Sequence, residues 1–141
     1  MAESSLEGAT GSLAGGIFIT NVGTVPCVLI GPPSTVELRS EHGVLDVELR
    51  IYGSLRADSS EAAPPVLLEP GEKAESFVLW SNWCAGELSN LEMLVILPDG
   101  SRPMVTVPEP IQGTGPVTTP RCDNPAAKSG LGVFAFKPFA S

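Results

Sequence analysis

The only histidine, His42, is the residue best suited to acid–base or nucleophilic catalysis, and it lies in a predicted turn. The segment Ser40-Glu41-His42-Gly43 has the composition of a β-hairpin turn, with glycine at its tightest position. A Ser-His-Asp or Cys-His relay needs a histidine that is buried and oriented by a carboxylate. One histidine is also too few for a blue-copper centre, and the zinc hydrolase pattern HExxH does not occur. The sequence therefore predicts neither a catalytic role for His42 nor a metal site.

The carboxylates lie singly, on predicted strand faces such as Asp46 and Glu48 or in turns such as Glu69 and Asp99. Acid–base catalysis by carboxylates needs two groups that face one cleft and have pKa values driven apart. No segment has the spaced Asp and Asn ladder of a calcium loop, and neither a Walker A loop nor a dinucleotide fingerprint occurs. We therefore expect a protein that is not an enzyme and that binds no cofactor.

Both tryptophans lie in the segment Leu79-Trp80-Ser81-Asn82-Trp83-Cys84. Tryptophan offers a large contact area at low entropic cost, so the segment is one candidate for stacking on a sugar or a peptide. The other interpretation is a tryptophan packed against a disulfide between two sheets, as in immunoglobulin-type sandwiches. Packing is favoured for Trp80. For Trp83, at the end of the strand, both interpretations stay open, and Trp83 is the candidate binding residue.

The three cysteines, Cys27, Cys84 and Cys122, leave at least one thiol unpaired or paired outside the chain. No two of them have the CxxC spacing of a zinc site. A bridge between Cys84 and Cys122 would close a loop of about forty residues, and loop-closure entropy makes it worth roughly 4 kcal/mol. The proline- and glycine-rich stretch inside that loop has few apolar residues to fix it. We therefore predict the disulfide Cys84–Cys122, with Cys27 free or missing its partner.

Fifteen glycines and fourteen prolines interrupt the 141 residues too often for long helices. Short apolar runs between turn residues are instead typical of an all-β protein. We predict a single antiparallel β-sandwich of about seven to nine strands over residues 13–141, preceded by a flexible segment, 1–12. The predicted strands are 13–20, 25–30, 35–39, 45–51, 66–68, 73–81, 91–97, 104–107 and 132–136.

The net charge is −8, from sixteen acidic and eight basic residues. Such a chain repels phosphate backbones, which argues against a nucleic-acid partner. No apolar run approaches the ~20 residues that cross a bilayer, and residues 1–16 lack the basic and apolar regions of a signal peptide. Two origins fit these facts: an intracellular protein, or a secreted domain whose leader is absent from this chain.

Several segments together resemble the opening, middle and end of the bacterial domain of unknown function 4232 family. The matching segments are Gly8 to Gly16, Thr20-Asn21-Val22-Gly23-Thr24-Val25-Pro26-Cys27, Leu68-Glu69-Pro70-Gly71-Glu72, Trp80-Ser81-Asn82-Trp83-Cys84, Pro120-Arg121-Cys122-Asp123 and Pro138-Phe139. The resemblance implies an immunoglobulin-like sandwich, exported or lipid-anchored outside the bacterial membrane, without enzymatic activity or assigned substrate. Family members often carry another cysteine upstream, which this chain lacks.

These observations favour a non-catalytic extracytoplasmic module, either binding a protein or glycan surface partner or packing in an envelope assembly. Sandwiches present function in end loops and exposed edges, so the expected contact positions are Trp83, the loop 53–65 and the stretch 108–120. The alternative is a structural decoration subunit of a phage or a surface assembly. A stable symmetric oligomer in solution would favour that alternative.

Overall fold

The computed structural model describes residues 2–9, 12–41, 43–56, 60–86, 88, 91–99, 104–106 and 119–139, with the backbone alone for 2–9 and 104–106. All regular structure within these ranges is β-strand. The strands are β1 (Ala2–Ala9), β2 (Ser12–Thr20), β3 (Cys27–Leu29), β4 (Thr35–Ser40), β5 (Gly43–Val44), β6 (Val47–Ile51), β7 (Val66–Leu68), β8 (Lys73–Ser81), β9 (Glu92–Ile96), β10 (Met104–Thr106) and β11 (Ser129–Pro138).

Nine of these strands form two sheets, and the prediction of an all-β, sandwich-like architecture is confirmed. One sheet has the order β1-β2-β8-β11-β6 and the other has the order β10-β9-β4-β5. Strands β3 and β7 form a separate two-stranded ribbon. One pair departs from the predicted antiparallel arrangement, because β11 runs parallel to β6. A parallel pair needs a long crossover, and residues 52–128 provide it.

The core lies between the two sheets because the apolar residues alternate along their strands. In β8, Val78 and Trp80 point inward and are fully buried, while Leu79 faces solvent. Strands β4 and β9 contribute facing residues such as Leu38 and Met93. The polar groups carried inward are satisfied: Trp80 Nε1 donates to Ser129 Oγ at 2.9 Å, and Ser129 Oγ donates to the Ser81 carbonyl at 2.8 Å.

The strand with the cleanest predicted alternation, 45–51, is buried less deeply than its pattern indicates. Leu45 is buried and Val47 and Leu49 pack partly against the core, but Ile51 is 37% exposed. The physical reason is position, because β6 is the edge strand of its sheet. Alternation along the sequence cannot report which strand becomes an edge.

The N-terminal residues differ from the flexible segment expected for 1–12. Ala2–Ala9 form β1, which pairs antiparallel with β2 from Ala2↔Ile19 to Ala9↔Ser12. Without β1, strand β2 would expose an unpaired edge next to the core, and β1 satisfies its backbone groups.

Candidate functional site

The disulfide predicted between Cys84 and Cys122 is confirmed. The two Cα atoms lie 4.8 Å apart, and the bond joins the end of β8 to the segment before β11. Both cysteines lie at the surface. The disulfide therefore fastens an external corner of the sandwich and does not bridge the two sheets through the core.

Asn82 holds the same corner by hydrogen bonds. Its Oδ1 accepts from the backbone N–H groups of Asp123 and Asn124, each at 2.9 Å. Its Nδ2 donates to the carbonyl oxygens of Asn124 at 3.0 Å and Ala127 at 3.2 Å. Asn82 has a φ of 59°, a left-handed conformation that asparagine tolerates better than most residues. We name this arrangement of Asn82, the disulfide and residues 122–128 the Asn82 corner.

The structure corrects the interpretation of Trp83 as a contact residue. Only 8% of Trp83 is exposed, and its ring centroid lies 5.7 Å from that of Trp80. Its Nε1 donates to the Gly86 carbonyl at 2.8 Å, so the polar atom of the indole is already satisfied. The packing interpretation therefore holds for both tryptophans, since both belong to the core cluster of buried residues.

The other residues and segments singled out in the sequence do not converge on one site. Cys27 lies exposed at the start of β3, opposite Leu68 of β7, and forms no disulfide. His42, residues 57–59 of the predicted loop and nearly all of the stretch 108–120 lie outside the described residues. Among the residues that are described, no group of three histidine, cysteine or acidic side chains could hold a metal ion.

Sequence reasoning missed a groove of about 470 Å³ on the outward face of the larger sheet. Its floor is β11, where Gly130 and Gly132 present bare backbone. Pairing places Gly130 beside Glu48 and Ser81, and Gly132 beside Arg50 and Leu79. The groove exists because Gly130 and Gly132 of β11 have no side chain, whereas the residues paired with them in β6 and β8 do. The available signal was Gly132 at the start of the predicted strand 132–136, with Gly130 two residues before it.

The lining of this glycine-floored groove combines two stacked aromatic rings with paired charges. Tyr52 stacks on Phe134 with centroids 4.6 Å apart and planes 11° from parallel. Arg50 donates to Glu48 Oε1 from Nε at 3.2 Å and from Nη2 at 3.0 Å. The hydrogen bonds that Arg50 donates to Glu48, and then its hydrogen bond with Tyr52, raise the pKa of Arg50 above its ordinary value. The groove is thus equipped to bind by stacking and hydrogen bonding, with a guanidinium that stays charged.

The Asn82 corner forms one end of the groove. Ala127 and Lys128, whose backbone region is held by Asn82, line it. Lys128 Nζ also lies 3.9 Å from Asp46 Oδ1, which draws the end of the corner towards the chain before β6. The disulfide and Asn82 therefore position a wall of the groove.

Comparison with known proteins gives one match. The family model described as a domain of unknown function, DUF4232, matches residues 2–130. No curated protein and no solved structure matches the chain. The structure adds that no helix in its described ranges is long and apolar enough to cross a membrane. Because the model covers nearly the whole chain, the protein belongs to the DUF4232 family.

Proposed function

We propose that this chain is a non-catalytic module that works outside the cytoplasm and binds a surface glycan in the glycine-floored groove. The observation that carries the location is the Cys84–Cys122 disulfide at an exposed corner. Solvent-accessible disulfides persist in oxidising compartments and are reduced by the thiol systems of the cytosol. Because this bridge holds the end of the groove, we expect the protein to work in an oxidising compartment outside the cytoplasm.

The chemistry of the groove supports a glycan over other partners. A sugar ring presents C–H groups that stack on an aromatic face and hydroxyls that bond to charged and polar side chains. Tyr52 supplies the ring, and Arg50 and Glu48 supply paired donors and acceptors. Their charges offset each other, and the ammonium group of Lys128 at the end of the groove lies 3.9 Å from Asp46 Oδ1, so a neutral ligand fits better than a strongly ionic one. The bare backbone at Gly130 and Gly132 leaves room for a flat ring to approach.

Filling the groove tests the binding site. Gly132→Val should abolish binding to neutral bacterial-surface oligosaccharides, because its side chain would occupy the floor. A Cβ at this position meets Tyr52 Cε2 at 3.6 Å and Leu79 O at 3.9 Å, which are ordinary contacts. The fold should therefore survive, with a melting temperature within about 3 °C of the parent. Titration calorimetry against an oligosaccharide panel measures the binding.

The matched control is Gly53→Val, since a Cβ there meets nothing within 4 Å and Gly53 is not in the groove. It should bind as the parent does. Equal binding by Gly132→Val and the parent would refute the groove as the site. If the parent binds no oligosaccharide but binds extended peptides, the proposed glycan ligand is wrong and the ligand is a peptide.

Thiol trapping tests the compartment. In cells that make the protein naturally, rapid acid quenching followed by alkylation should leave Cys84 and Cys122 unlabelled, joined as one disulfide peptide. Alkylation of both residues in most of the chains would place the protein in a reducing compartment. A cytosolic expression strain provides the reduced reference sample.

A further inference from the structure

The ribbon of β3 and β7 exposes an apolar surface that the sandwich leaves uncovered. Val28 and Leu67 are direct partners across the ribbon and are 52% and 58% exposed. Ile30, two residues beyond Val28, is 65% exposed, and the preceding loop exposes Val22 and Val25. We name Val28, Ile30 and Leu67 the ribbon face. Contiguous exposed apolar side chains of this kind mark interaction surfaces.

The outer edge of β3 is open as well. Among the described strands, β3 pairs only with β7. Natural edge strands are usually protected by charged side chains, especially lysine, that oppose pairing with another chain. The sequence has no charged residue from position 8 to position 36, and none from 62 to 68. Apart from Pro26 and the shortness of the strand, this edge lacks the usual protection.

Charge decides which partner this surface fits. The chain carries −8, so two copies that approach at most other surfaces repel each other. The ribbon lies in the two uncharged stretches, where two copies can meet without that repulsion. A strongly basic partner would instead be drawn to the acidic surface elsewhere. The ribbon face is apolar and therefore complementary to itself.

From these observations we infer that the ribbon is the contact between two copies of this chain. In a two-fold symmetric contact, β3 lies antiparallel to β3 of the second copy, and the Val28 side chains of the two ribbon faces pack against each other across the shared edge. Because β3 has only three residues and Val28 is the middle one, the two-fold axis passes next to Val28, and the exposed thiol of the adjacent Cys27 lies near Cys27 of the second copy. This interface is independent of the glycine-floored groove, which lies on the outward face of the larger sheet.

Sedimentation of the full chain with its Cys84–Cys122 disulfide intact tests the interface in a variant that lacks the Cys27 thiol. Cys27→Ser should form a dimer whose population rises between about 1 and 200 μM, as expected for a modest interface. Val28→Glu in the same background should raise the dissociation constant at least tenfold, because it places a carboxylate next to its copy. The matched control is Val44→Glu, since Val44 is also exposed, at 60%, on a short edge strand of the other sheet. A monomer at all concentrations, or equal effects of the two substitutions, would refute the interface.

The thiol of Cys27 gives a second, independent readout. Oxidised glutathione should convert two Cys27 thiols into one intermolecular disulfide by thiol–disulfide exchange, releasing two molecules of reduced glutathione. Peptide mapping should find a Cys27–Cys27 link that is several-fold less abundant in Val28→Glu and unchanged in Val44→Glu. A parent chain that acquires only single glutathione adducts, with no linked dimer, would contradict the proximity of the two thiols.

Discussion

Asn82 and Trp83 are adjacent in the sequence, but their side chains stabilise the end of β8 in different ways. Trp83 closes the core beneath the corner, with its indole N–H bonded to the Gly86 carbonyl. Asn82 points along the surface and holds the segment that follows Cys122. Stability at this point thus depends on apolar burial at one residue and on hydrogen bonding at the next.

Truncation of Trp83 should destabilise the whole domain. Trp83→Ala should lower the free energy of unfolding by about 3–5 kcal/mol, because it removes a buried ring and leaves a cavity beside Trp80. The melting temperature should fall by roughly 10 °C or more. Leu79→Ala is the control, since Leu79 lies on the outward face of the same strand. A melting temperature for Trp83→Ala within a degree or two of the parent would restore the surface interpretation of this residue.

Substitutions of Asn82 should separate its hydrogen bonds from its backbone conformation. Asn82→Gly keeps the left-handed φ at no steric cost and loses the side-chain bonds, so we expect a loss of about 1–2 kcal/mol. Asn82→Ala should lose about 1 kcal/mol more, because alanine disfavours this φ. Urea denaturation under oxidising conditions measures both. Equal stability of the parent and Asn82→Gly would mean that the disulfide alone holds the corner.

At the scale of elements, most differences between the predicted and the observed structure lie at the edges of the sheets. Strand β1 covers the edge of β2, β6 ends a sheet with Ile51 partly exposed, and β3 leaves an open edge in the ribbon. The central strand β8, in contrast, has the predicted bounds, and Trp80 is buried as predicted. A type II turn precedes it: Gly71 has a φ of 89°, and the Glu72 N–H donates to the Glu69 carbonyl at 2.9 Å.

Hydrogen exchange tests whether β1 is a strand in solution. Paired amides within Ala2–Ala9 should exchange at least about a hundredfold more slowly than in an unstructured peptide, because they bond to β2. The alternate amides, which face outward from the edge strand, should exchange fast. Uniform exchange at the unprotected rate through residues 2–9 would instead support a flexible segment.

At the scale of the whole molecule, most contacts join residues that are distant in the sequence. The long connections between paired strands must therefore be held in place at their ends. β8 lies between β2 and β11, and the chain between β8 and β11 includes the loop that the disulfide closes. The core itself draws buried residues from both sheets and the ribbon and does not include the disulfide. Folding of the core and closure of the corner are therefore separable.

Removal of the disulfide should weaken the domain without changing its architecture. The cysteines are 38 residues apart, so Cys84→Ser/Cys122→Ser should lower the free energy of unfolding by about 4 kcal/mol through loop-closure entropy. The far-ultraviolet circular dichroism spectrum should remain that of a β protein. Cys27→Ser serves as the control and should leave stability almost unchanged. Loss of the β spectrum in the double variant at low temperature would show that the core does not fold without the bridge.

Local chemistry explains which features were predictable. The period of two in β8 and the turn at residues 69–72 each depend on a few neighbouring residues. The disulfide was predictable for a different reason, because a bridge between Cys84 and Cys122 closes a long loop and loop-closure entropy favours it. The fate of Trp83 was not predictable, because the same residue at the end of a strand can point inward or outward. The groove was missed because its walls come from β6 and β8. These strands are distant in the sequence and become neighbours of the same strand, β11, only in the folded sheet.

The sequence by itself determined the all-β class, the bounds of most strands and the disulfide, because steric limits on glycine and proline, side-chain alternation and loop closure act along the chain. Only the tertiary structure decided which strands became edges, that Asn82 holds the corner, and that two bare glycines of β11 lie between the charged pair of β6 and the side chains of β8. These features depend on which strands pair across long connections. Pairing is set by the combined burial of both sheets, and no single segment contains that information.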